Sequence, residues 1–86
     1  MFIEVITPDE KIFEGEAQSA TFPGSDGSFQ ILNDHAALVS ALGKGDMKII
    51  KIVEKKTEEV HIAIDGGVVE VLNNKVLVLA ESILDE

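Results

Sequence analysis

The chain has 86 residues, 16 acidic side chains against seven basic ones, and a formal net charge of −9. That length allows one domain, which buries roughly 60–65% of its unfolded surface, and an apolar content of 45% argues for a folded chain despite the charge. The acidic balance disfavours nucleic acid and anionic lipid, the lack of cysteine removes thiolate and disulfide chemistry, and no apolar run resembles a membrane span or a signal peptide.

In chain order, short apolar runs alternate with turn chemistry about every eight to twelve residues, the spacing of a sandwich or barrel. Phe2–Ile6 is the first run and Pro8-Asp9 turns it. Lys11–Phe13 follows, with Gly15 read as a bulge or kink before Ala17–Phe22. Pro23-Gly24-Ser25-Asp26-Gly27 is a dense turn cluster, Ser28–Leu32 resumes extended structure, and Asn33-Asp34 breaks it. His35–Leu42 has helical composition but is too short for a stable helix, and reads as a packed loop that enters the core through Leu38, Val39 and Leu42.

Gly43-Lys44-Gly45-Asp46 reads as a turn into Met47–Val53, and Glu54–Glu58 as a charged hairpin connection. Val60, Ile62 and Ile64 alternate with Glu59, His61 and Ala63, the pattern of a strand with one wet face. Asp65-Gly66-Gly67 turns or bulges into Val68–Leu72, and Asn73-Asn74 stands where a two-residue hairpin needs positive φ. Lys75–Ala80 is apolar on both faces, so it is either central or covered from both sides. Glu81–Glu86 reads as a fraying polar tail. The five lysines between Lys44 and Lys56, set against Asp46 and Glu54, read as a guarded strand edge. The expected fold is all-β, two antiparallel sheets packed face to face.

Catalytic and metal chemistry find little support. His35 and His61 are far apart with no cysteine near, and Ser25-Asp26-Gly27-Ser28 lacks the further oxygen ligands of a calcium loop. Ser25 or Ser28 with His35 and Asp34 has no strand-turn-helix elbow to hold a nucleophile. The Pro23–Ser28 loop lacks the lysine and helix of a phosphate cradle, and Asp26 would repel phosphate.

Three stretches, in order and at matching spacing across residues 2 to 82, together resemble the epsilon subunit of F-type ATP synthases, called delta in mitochondria. They are Ile6-Thr7-Pro8-Asp9 through Phe13-Glu14-Gly15-Glu16, then Gly24-Ser25-Asp26-Gly27 with Asp34-His35-Ala36-Ala37-Leu38, and finally Asp65-Gly66-Gly67-Val68-Val69-Glu70-Val71 with Val76–Glu81. The resemblance implies a ten-stranded β-sandwich of two five-stranded, mostly antiparallel sheets over 1–86. It also implies a non-catalytic rotor part of the central stalk, at the cytoplasmic face of the bacterial inner membrane and not inserted into it. Its partners would be the gamma subunit and the ring of c subunits, and it would carry no cofactor.

The family's contact segments map onto Ser25, Asp26, Gly27 and Ser28, and onto His35, Ala36, Ala37 and Leu38. Two departures stand out: Asp34 and Ala37 replace the family's glycine and proline around His-Ala, which leaves that loop less rigidly fixed, and Ser28 replaces a glutamate. The family's C-terminal helical hairpin has no counterpart up to Glu86, so neither helix-mediated restraint of hydrolysis nor nucleotide binding is expected. The competing reading is a free-standing β-sandwich binding module on the same scaffold.

Overall fold

The computed structural model describes residues 1–84. Seven strands succeed one another: β1 (Phe2–Ile6), β2 (Lys11–Glu16), β3 (Ser19–Gly24), β4 (Gly27–Leu32), β5 (Leu38–Val53), β6 (Lys56–Leu72) and β7 (Lys75–Ala80). They form one continuous hydrogen-bonded sheet in the order β2-β1-β7-β6-β5-β3-β4. Every neighbouring pair is antiparallel except β1 and β7, which run parallel.

The all-β expectation holds, but ten strands in two sheets of five are not what the ladder shows. The expectation places a turn at Gly43-Lys44-Gly45-Asp46 and a turn or bulge at Asp65-Gly66-Gly67, and the β5–β6 pairing instead keeps one register past both, from Leu38 opposite Val71 to Val53 opposite Lys56, with only Gly43 and Gly66 left unpaired in it. Those glycines mark a twist and not a reversal. Before them Leu38, Ser40 and Leu42 face inward with Val69 and Val71. Past them the inward set is Met47 and Ile49 with Ile62 and Ile64. The inward positions therefore change parity along both arms, which in a period-2 element requires a local conformation outside the normal strand. Gly66 and Gly67 supply it with φ of +101° and +151°.

That twist lets one sheet fold over on itself. Ile3, Val5, Val76 and Val78 from one end of the strand order share a single core with Ala20, Phe22 and Ile31 from the other. Side chains such as Phe22, Ile3, Ile31 and Met47 are wholly buried, each stabilising the fold by about 1.5–3 kcal/mol. Phe22 and Phe29 stack tilted, with ring centroids 5.6 Å apart.

Smaller expectations shift as well. The bulge falls at Ile12, where Val5 pairs Phe13 but Ile6 pairs Lys11, while Gly15 sits in regular register opposite Ile3. The charged hairpin connection shrinks to Glu54-Lys55, both at positive φ, because Lys56–Glu58 already pair in β6. Asn73-Asn74 turns at φ of +51° and +61° as the sequence suggests. The described part of the tail does not fray: Ile83 bridges Ile64, and the Leu84 N–H donates to the Ala63 carbonyl at 2.9 Å. Asp85 and Glu86 lie outside the described residues. Among the described residues no helix is long and apolar enough to cross a membrane.

The lysine stretch is not a sheet edge, because β5 lies between β6 and β3; its lysines instead pair across the β5–β6 ladder. Lys48 lies 3.8 Å from Glu59, and Lys51 lies 3.5 Å from Glu58. The Lys51 ammonium also sits 5.8 Å from the centre of the Phe13 ring, tying β5 to β2.

Candidate functional site

The two predicted contact segments stand at opposite ends of β4. Ser25 and Asp26 form a two-residue turn between the paired Gly24 and Gly27, and all of Ser25–Ser28 is exposed. Neither turn residue has positive φ; Gly27, at +123°, restores the strand twist instead. This turn borders Ser40 and Ala41 across a groove of about 280 Å³ floored by Phe29. Asp26 is its only charged residue.

His35, Ala36 and Ala37 follow the far end of β4, so about 16 Å of extended strand separates them from the turn. Asp34 takes φ of +63°, the left-handed conformation that glycine would adopt without strain. Its N–H donates to Asn74 Oδ1 at 2.7 Å, and Asn74 Nδ2 donates to Asn33 Oδ1 at 3.1 Å. The loop is thus pinned by the side chain of a neighbouring hairpin, which replaces the rigidity expected from glycine and proline. His35 Nδ1 lies 2.7 Å from the Ala36 carbonyl, a geometry in which Nδ1 carries the proton and donates, leaving Nε2 to solvent.

Leu38 opens β5 and is half-buried against the core. Val39, expected inside, is 70% exposed, because β5 starts at Leu38 and period 2 sends its neighbour outward. Ala37, Leu38 and Val39 line a shallow, mostly apolar hollow of about 390 Å³ with Glu70, Val71 and Leu72. The His-containing segment therefore leads directly onto the outer face of the sheet.

That face is the feature sequence reasoning missed. One cross-strand row runs Ala41, Val68, Leu79, Ile6, and the next runs Val39, Glu70, Leu77, Glu4. Val68, Leu72 and Leu79 are exposed large hydrophobics beside Val39. Exposed apolar side chains gathered on one face make that face a candidate for interaction. Its signal was present in Lys75–Ala80, apolar on both faces. β7 proves central between β1 and β6, with Val76, Val78 and Ala80 buried inward and Leu79 outward and open.

The other candidates do not assemble. His61 Nδ1 lies 2.7 Å from Asp46 Oδ2, on a wet sheet face remote from His35. Among the described residues no group of three or more histidine, aspartate and glutamate side chains could hold a metal ion. A hollow of about 460 Å³ lies at Met1, Ala17, Asn33 and Ile52 and touches neither predicted segment.

Fold and surface together define a β-sandwich domain that presents loops and an apolar face. Residues 1–86 match the family model for the beta-sandwich domain of the ATP synthase delta/epsilon chain, and the chain belongs to that family. The ATP synthase epsilon chain of Salinibacter ruber is 36% identical over 86 residues, covering 94% of this chain and 58% of that protein. That of Campylobacter jejuni (strain 81-176) is 44% identical over 78 residues, covering 91% of this chain and 58% of that protein. The chain thus spans 58% of the length of these relatives.

Among solved structures, a chain of the Tetrahymena thermophila mitochondrial ATP synthase central stalk/c-ring shares the fold, with a TM-score of 0.77 at 20% identity over 98% of this chain and 65% of that one. A chain of the Euglena gracilis mitochondrial ATP synthase OSCP/F1/c-ring structure does so with a TM-score of 0.79 at 20% identity, over 95% of this chain and 51% of that one.

Proposed function

We infer that this chain is the β-sandwich part of a central-stalk subunit of an F-type ATP synthase, itself non-catalytic, that links the gamma subunit to the c-ring. The observation that carries the reading is the family match along the whole chain. The neighbours found in central-stalk and c-ring structures agree with it. The task would be mechanical: to keep two partners in fixed register while torque passes, for which a close-packed interior of low compressibility is suited. Its place would be peripheral, at the cytoplasmic face of the bacterial inner membrane.

Two kinds of surface divide the work. The polar turn Ser25, Asp26, Gly27 and Ser28 is suited to the polar loops of the c-ring. The segment His35, Ala36, Ala37 and Leu38 opens onto the apolar outer face, which is suited to gamma. Size-exclusion chromatography of a mixture with the cognate gamma subunit tests the reading; co-migration is expected, and separate elution overturns it. Single cysteines at Asp26 and at Val39 refine it. The first should cross-link to c and the second to gamma, and the opposite pattern reverses the assignment of faces.

A further inference from the structure

The sequence contains two Asp-Gly pairs, Asp26-Gly27 and Asp65-Gly66, and the fold treats them oppositely. An aspartate followed by glycine can cyclise: the main-chain nitrogen of the glycine attacks the aspartyl Cγ, a nitrogen–carbon bond forms, and one carboxyl oxygen leaves as water. The resulting five-membered succinimide takes up one water again. Opening at Cγ returns aspartate; opening at the main-chain carbonyl carbon gives isoaspartate, whose backbone runs through the former side chain. Water lost in the first step is regained in the second, so no other reactant is needed. The ring closes only where the backbone can rotate and nothing crowds the glycine.

We propose that Asp26-Gly27 is a site of succinimide formation and aspartate isomerisation in the folded chain, and that Asp65-Gly66 is not. Asp26 is exposed in a two-residue turn. Gly27 at φ +123° has open space around it: beyond its two chain neighbours, no atom lies within 4 Å of the place a Cβ would occupy. Water reaches both carbons of the ring from solvent.

Asp65-Gly66 lies inside the 17-residue strand β6, opposite β5. The Asp65 N–H donates to Ser82 at 3.2 Å, and the Gly66 carbonyl accepts the Glu81 N–H at 3.0 Å. Gly66 is buried, and a Cβ built there would stand 3.1 Å from a Glu81 carboxyl oxygen and 3.5 Å from the Leu42 carbonyl. Cyclisation there must wait for the strand to open. Its rate is lowered by the population of that open state, whereas a loop tip opens at little cost. Isomerisation at Asp26 inserts a methylene into the main chain of a two-residue turn and moves its only carboxylate. This gives the exposed turn a slow chemical clock.

The purified chain, incubated near neutral pH in water enriched in oxygen-18, reports each passage through the succinimide as one incorporated heavy oxygen. Trypsin separates the two pairs, because Asp26 falls between Lys11 and Lys44 and Asp65 between Lys56 and Lys75, and fragmentation of each peptide reads the label on the aspartate itself, apart from Asn33, Asn73 and Asn74, which take up heavy oxygen on deamidation. The first peptide should gain label more than about tenfold faster than the second while the chain is folded. In denaturant the two should label at comparable rates. Asp26→Glu, which would need a six-membered ring, should lose the label from the first peptide without changing the denaturation midpoint. Equal labelling in the folded chain overturns the proposal. So does a first peptide that stays unlabelled while the denatured control is labelled, or label in the first peptide that persists in Asp26→Glu. The measurement uses the free chain and does not depend on the docking reading.

Discussion

Gly67 packs its α-carbon against the main chain of Leu79 on β7 so closely that a side chain there would overlap the Leu79 carbonyl oxygen and stand 3.0 Å from Ala80 Cα. The same residue holds φ at +151°, at the point where the β5–β6 ribbon turns its inward face over. Two independent demands, conformation and space, fall on one position. Gly67→Ala should therefore cost about 3 kcal/mol or more, read as a fall in the urea midpoint. Gly27 has the same conformational demand at +123° but open space around it. Gly27→Ala should cost only about 1–2 kcal/mol. If the two variants lose equal stability, the close approach of β6 to β7 contributes nothing.

This pair also shows what a sequence conveys. Asp65-Gly66-Gly67 and Gly43-Lys44-Gly45-Asp46 carry the composition of turns, the first that of a turn or a bulge. Whether a glycine pair reverses a chain or only twists it depends on whether the partner strand continues alongside, and that information lies more than 20 residues away in the pairing of β5 with β6. Local chemistry was legible. Asn73-Asn74 turns as expected, and Ile62 and Ile64 face inward where their alternation placed them. The exposed turn Ser25–Ser28 was also readable from its glycine, serine and aspartate content. The apolar outer face was not, because Ala41, Val68, Leu79 and Ile6 come from four strands that meet only through the register.

The two primed-type turns predict opposite responses to glycine. Glu54 and Lys55 hold φ of +52° and +68° with side chains exposed to solvent. Lys55→Gly relieves the left-handed strain, and partly offsets that gain by loosening the unfolded chain. A net stabilisation of about 0.5–1 kcal/mol should appear in chemical denaturation. Asn74 holds +61° but its side chain also bonds the Asp34 N–H and Asn33. Asn74→Gly should gain nothing or lose about 1 kcal/mol, and should broaden the amide resonances of Asp34 and His35. A gain as large as that of Lys55→Gly would mean the clamp on the His35 loop is idle.

Lys11 gives a pH dependence of defined sign. Its ammonium pKa lies above the ordinary 10.5, chiefly because the Glu14 carboxylate accepts a hydrogen bond from it, with Glu4 at 3.1 Å adding a second. A base whose pKa is raised by folding contributes stability in full below its unfolded pKa and loses it as pH climbs through the raised value. The side chain is exposed, so the contribution is small and screened by salt. The difference in urea midpoint between the wild type and Lys11→Gln should be slight at pH 7 and absent above the raised pKa. A difference unchanged across that range would assign it to the packing of the lysine stem.

The outer face and the core beneath it can be separated on one strand. Val78 and Leu79 are neighbours on β7, one wholly buried and the other 46% exposed on the outer face. Val78→Ala removes buried volume and should cost about 2 kcal/mol of stability. At temperatures where that variant stays folded, its affinity for gamma should be unchanged. Leu79→Lys keeps the inward packing and should shift stability by less than about 1 kcal/mol. It places a charge in the middle of the row Ala41, Val68, Leu79, Ile6. If that row seats gamma, desolvating the new ammonium should weaken the complex at least about tenfold in titration calorimetry. A Leu79→Lys chain that binds gamma as tightly as the wild type would remove this face from the interface. The contact would then fall to the turn at Ser25–Ser28 and the loop at His35–Leu38.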